Sequence, residues 1–157
     1  MDLDAQIQML IDHAPQDGTT PKVIQAIAPA LTTLAGQLGH LEYYVLQAIE
    51  GNWIVTTLSH RIQSTLEKTV VYAFATSEDA IASAAMPPDQ QVVALSVPTT
   101  HILFQLVTMK NVDSAVFFDG IGNATQGTEV SRQNLNHLIQ QYLQQYQTTR
   151  NLPLDIA

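Results

Sequence analysis

The chain has 157 residues, no cysteine, and six basic against fourteen acidic residues, a formal charge of −8. That length suits one domain, able to bury about two thirds of its unfolded surface without metal or disulfide. The missing cysteine excludes thiol catalysis, zinc–thiolate sites and disulfide frameworks, and the acidic balance disfavours nucleic acid and anionic membrane surfaces as partners.

From the amino end, Leu3, Ile7, Leu10 and Ile11 fall at helical spacing, and His13 to Gly18 reads as a loop. The start carries no basic n-region and no long apolar run, so neither a signal peptide nor a membrane span is expected, and the expected location is cytoplasmic. A second helix opens with Thr20 as N-cap and Pro21 at the first helical position, with Val23, Ile24, Ile27, Leu31, Leu34 and Leu38 as its buried stripe. Pro29 predicts a kink or split in it, and Gly36 and Gly39 close it.

The period then changes. Leu41–Ile49 and Trp53–Leu58 are rich in β-branched and aromatic residues and flank a turn at Glu50-Gly51-Asn52; Thr69–Ala75 forms a third strand. Three sequential strands with short links predict an antiparallel meander. Thr76 caps a short helix from Ser77 to about Ala85, where Glu78 and Asp79 suit the helix dipole better than paired-carboxylate catalysis. Val92-Val93-Ala94-Leu95 forms a short apolar strand, Pro98 opens a helix to about Lys110, and Ala115–Phe118 forms a further buried strand. Strand, helix, strand predicts a right-handed crossover between parallel strands. The last helix runs from about Glu129 to Gln147, with Leu135, Leu138, Ile139, Tyr142 and Tyr146 on one face.

The sum is one α+β domain over 1–157: N-terminal helices (1–39), a β-meander (40–76), an αβαβα segment (77–149) and a tail (150–157). Its sheet is mixed, of about five strands, packed with helices.

No catalytic motif stands out. The serines lack a G-x-S-x-G elbow, and the five histidines (His13, His40, His60, His101, His137) show no HxH, HxxxH or HExxH spacing, so neither a metal nor a cofactor is expected. The loop with Asp119, Gly120, Gly122 and Asn123 follows a strand end, where open α/β sheets bind ligands, but it lacks the third glycine of a dinucleotide fingerprint and any P-loop lysine. It reads as a ligand-facing loop or a plain turn. His60 and Arg61 end the second strand and form either an anion site or a surface ion pair. Gln140, Gln141, Gln144 and Gln145 give the last helix an uncharged polar face, suited to a protein partner or a homodimer seam; seventeen glutamines in the chain also fit a solvated face.

Val70 to Ala80, then Leu95-Ser96-Val97-Pro98, then Asn111 to Asp119 together resemble the N-terminal domain of the SseB family of small bacterial accessory proteins, over about Gly51 to Tyr146. Asp119-Gly120 stands where that family has an Asn-Pro-Gly turn, and Ala75 replaces its usual Thr. The resemblance implies a non-enzymatic, partner-related role and no catalytic residues. Two expectations follow: a protein-interaction domain, or a small-ligand or enzymatic domain with a pocket near 119–123.

Overall fold

In the computed structural model, residues 2–59, 67–83, 92–120 and 127–156 are described, as five helices and a six-stranded sheet. In chain order these are α1 (Leu3–Asp12), α2 (Thr20–Gly36), β1 (Glu42–Ala48), β2 (Thr56–Ser59), β3 (Glu67–Phe74), α3 (Ser77–Ala82), β4 (Val92–Pro98), α4 (Thr99–Thr108), β5 (Ser114–Phe118), β6 (Gly127–Ser131) and α5 (Arg132–Ile156). The mixed α+β class is as the sequence indicates.

The sheet order is β4-β1-β3-β5-β6, with β2 on the edge of β3. Among the described strands only β3 and β5 pair in parallel. β1 and β2 form no even meander. Both run antiparallel to β3 and share one of its edges, β1 meeting it at Tyr44–Phe74 and β2 at Val70 to Glu67. Between them the chain folds back at Gly51, whose φ of 103° favours glycine, so that Trp53 bridges Gln47 before β2 sets off. The crossover through α4 does join strands running the same way, but β1 and β3 lie between β4 and β5.

Three helix ends differ from the sequence expectation. α2 starts at Thr20 with Thr19 in the cap position, and its cap is a carboxylate from further back. Asp17 Oδ1 accepts from the Thr19 and Thr20 amides at 2.9 and 2.8 Å. α2 also runs unbroken through Pro29, which is exposed. Glu129 belongs to β6 rather than to the last helix, which opens at Arg132 and continues as helix to Ile156, where a tail was expected. Thr76 does cap α3, its hydroxyl accepting from the Asp79 amide at 3.1 Å.

The core lies on the sheet face that carries Tyr43, Val45, Val71, Ala73, Ala115 and Phe117, beneath α1, α2, α4 and α5. Ile102, Leu103 and Leu106 of α4 are all buried, each contributing on the order of 2 kcal/mol as an upper estimate. The opposite face holds a smaller cluster, Leu46, Phe74 and Ala80 with Tyr44, Tyr72 and Phe118 beside it, under α3.

α4 begins without a side-chain cap of its own. Gln6 of α1 supplies it. That side chain is 0% exposed, accepts from the Thr100 amide and hydroxyl at 3.1 and 2.8 Å, and donates to the Leu41 carbonyl at 2.8 Å. Thr99 N–H meanwhile donates to the Leu41 carbonyl at 2.9 Å. Amides that a helix start leaves open are thus satisfied across the fold. The first helix, the first strand and the fourth helix are locked together at one polar point.

Candidate functional site

Asp119 leaves the carboxyl end of β5, next to the link between α2 and β1. There Tyr43, wholly buried, donates its hydroxyl to Asp119 Oδ1 and accepts from the His40 amide at 3.3 Å. His40 Nε2 donates to the Asp119 carbonyl at 2.9 Å. Gly39 makes this closure sterically feasible, because a Cβ there would sit 2.9 Å from Asp119 Cγ. Burial, and then the bond to Asp119, push the Tyr43 phenol well above its ordinary value. With its hydroxyl engaged on both sides, the buried Tyr43 acts as a clasp between β5 and β1.

Of the other residues in the expected ligand constellation, Gly120 follows Asp119 and is exposed, whereas His60, Arg61, Gly122 and Asn123 lie outside the described residues. The strand leading to His60 ends far from Asp119. Ser59 pairs with Glu67 at the amino end of β3, and Phe118 pairs with Phe74 at its carboxyl end. Seven residue steps separate those two ends of β3, roughly 23 Å along the strand.

On α5, Gln140, Gln141 and Gln144 are exposed; the Gln145 side chain is outside those described. Gln141 Nε2 approaches His137 Nε2 at 3.4 Å, a contact within the helix. Among the described residues no three His, Cys, Asp or Glu side chains group to hold a metal ion, and no helix is long and apolar enough to cross a membrane.

A different surface has the makings of a site. β4 is an edge strand, paired only with β1 among the described residues. Which of its backbone groups point outward can be derived. Thr99 N–H bonds to the Leu41 carbonyl, so in the β4–β1 register 99/41 is a hydrogen-bonded pair. Bonded and non-bonded pairs alternate in an antiparallel ladder, so 97/43, 95/45 and 93/47 are bonded too. The N–H and C=O of Val92, Ala94 and Ser96 therefore face away from β1. From the β1 side, Leu46 and Ala48 give the same phase, bonding Ile54 and Asn52 (both 2.8 Å) on the side away from β4.

Natural edge strands are usually blunted by charge, proline or a cover. This one ends in Pro98 but carries no charge; the sequence has no Asp, Glu, Lys or Arg between Asp89 and Lys110. Val93 and Leu95, on the strand's core-side face, are 55% and 39% exposed. Leu95 also forms one wall of a groove of about 530 Å³, with Leu10, His13, Trp53, His101 and Phe104 around it. His101 Nε2 is already committed to the Gln6 carbonyl at 2.9 Å. The groove is therefore largely apolar, with His13 as a second polar ring in its wall, and the backbone edge that is unpaired among the described residues runs beside it.

Sequence reasoning identified β4 as a strand but not as an edge. The one local signal was the charge-free run in an acidic chain; the rest follows from strand order. No protein-family model matches this chain, and neither a curated protein nor a solved structure matches it.

Proposed function

We propose that this protein is a non-enzymatic interaction module that receives an extended polypeptide segment along the outer edge of β4. The observation that carries the proposal is the uncharged edge, unpaired beyond β1 among the described residues, with outward amides and carbonyls at Val92, Ala94 and Ser96 and exposed apolar side chains at Val93 and Leu95. Strand addition draws affinity from such backbone bonds and specificity from pockets beside alternate side chains, a part the groove next to Leu95 can play. The accessory role implied by the SseB-like segment order agrees with it. So does the clasped state of Tyr43, whose hydroxyl is engaged on both sides by His40 and Asp119.

Ala94→Pro tests this directly. It deletes one outward N–H while the bonds from β4 to β1, made by the neighbouring residues, stay intact. Proteins captured from source lysate by the wild type and identified by mass spectrometry should be lost with Ala94→Pro and with Leu95→Lys. Capture that survives both changes removes β4 from consideration.

A second reading rests on the groove alone. At about 530 Å³ it falls in the size range of small-molecule sites, and Trp53, Phe104 and Leu95 would contact an apolar ligand. A small molecule released on denaturing the purified wild type, and absent from Phe104→Ala, favours that reading.

A further inference from the structure

The geometry points to a second copy of this chain as an occupant of the β4 edge, joined through an antiparallel, two-fold pairing of β4 with β4 centred on Ala94. The inference rests on the strand-addition reading above and names its partner. A two-fold interface must be self-complementary, each patch meeting its own copy. The phase of β4 meets that condition. With Ala94 on the axis, Ala94 faces Ala94 of the second copy and Val92 faces Ser96, and these are the residues whose N–H and C=O point outward. Every pair that needs backbone bonds therefore has them to give. A pairing centred on Val93 or Leu95 also sets outward groups opposite one another but matches fewer of them. The first pairs Val92 with Ala94 and sets Ser96 opposite a residue that precedes β4; the second pairs Ala94 with Ser96 and sets Val92 opposite Pro98, which has no N–H.

The side chains agree with the same centre. Val93 then lies opposite Leu95 of the second copy in a non-bonded pair, where the backbones approach most closely, about 4.5 Å between Cα atoms. Both side chains are exposed in the single chain and project to one face, so four apolar side chains close over one another at the axis. Their burial also extends the wall that Leu95 gives to the groove. Pro98 falls outside this register and ends it, as a residue without an N–H must.

Charge does not oppose a second copy of the chain at this surface. Two molecules of charge −8 repel, and an approach through acid-bearing surfaces adds local repulsion. Between Asp89 and Lys110 there is no charged residue, so the β4 edge and the helix after it are a stretch where like chains meet without placing like charges opposite one another. Glu42, one strand inward, accepts from Ser96 Oγ at 3.1 Å.

Light scattering on the full chain across a dilution series should give twice the monomer mass of 17.2 kDa at the higher concentrations. Ala94→Pro and Leu95→Lys should each return it to one chain, with circular dichroism and thermal transition like those of the wild type. If Ala94→Pro fails to fold, Leu95→Lys still decides. The chain has no cysteine, which permits a register test. Ala94→Cys should cross-link to itself on mild oxidation, because a bonded antiparallel pair holds its Cα atoms about 5.5 Å apart, within disulfide reach. Gln141→Cys should not. A wild type that stays monomeric throughout overturns the pairing, as does a dimer that survives both substitutions or cross-links at Gln141→Cys. A monomeric wild type whose lysate partner is lost with Leu95→Lys would end the self-pairing and leave strand addition standing.

Discussion

Gln6 shows how much a single side chain can carry. It is wholly buried, yet the spacing of α1 is set by Leu3, Ile7, Leu10 and Ile11, and nothing in that pattern distinguishes Gln6 from the exposed Gln8. Its role depends on Thr100, 94 residues away, which no local reading reaches. Gln6→Leu would keep the volume but strand the Thr100 amide and hydroxyl in the interior. A loss of about 2–4 kcal/mol is expected, since each orphaned buried donor costs roughly 1–3 kcal/mol, read as a lower denaturation midpoint at unchanged m. Asp17 makes a pH-dependent contribution. Backbone bonds from Thr20 and Thr19, then the Thr20 hydroxyl, hold its carboxyl down at about 2. A depressed carboxylate contributes stability above its unfolded value, near 4, and that contribution is lost as pH falls through about 2. The start of α2 should therefore fray in that acid window. Carboxyl NMR titration checks it; a midpoint near 4 for Asp17 would refute the capping role.

At the scale of elements, most helices and strands were legible because their apolar spacing is strong. The exceptions share a cause: tertiary contacts outvoted local preference. β6 contains a single apolar position, Val130, and reads as a helix start. It becomes a strand because its backbone pairs with β5 from Ser114 to Phe118, and because Glu129 is tied down by Lys68 and the Ser114 hydroxyl, which also lower its carboxyl below the ordinary range. Pro29 is the converse case. Its local rule predicts disruption, yet the apolar stripe from Ile24 through Leu31 to Ala35 is buried on both sides of it and holds α2 continuous. The missing N–H remains a cost. Pro29→Ala restores a bond to the Gln25 carbonyl at an exposed position and should stabilise the protein by about 1–2 kcal/mol, after discounting the unfolded-state entropy it returns. A calorimetric melting temperature that stays level or falls would mean the helix is already relaxed around proline.

For the whole molecule, strand order is what turns residues into a surface. The sequence identified strands, an acidic balance and an expected interaction role, but Val93 and Leu95 become a surface only once β4 is known to lie at the border of the sheet. The glutamine face of α5, by contrast, was visible in the sequence because a helix displays its exposed side chains by simple periodicity. Net charge acts on assembly at this scale. Because two copies carry −8 each, raising salt should tighten the β4-mediated dimer, as screening removes long-range repulsion while the uncharged contact is unaffected. Sedimentation at low and high ionic strength measures this; a dimer weakened by salt would mean that ion pairs, not strand edges, hold it.

The bond between Gln6 and Thr100 has a consequence for the protein's birth on the ribosome. The amino-terminal helix is made before α4, so the Gln6 side-chain oxygen does not meet the Thr100 amide and hydroxyl until α4 has emerged, and β1 lacks its long edge partner until β4 has done so. The early half of the chain must therefore wait, part-finished, while the later half is translated. During that wait the apolar faces of α1 and α2 are uncovered, and it is in the nascent chain that holdase chaperones should find their binding sites.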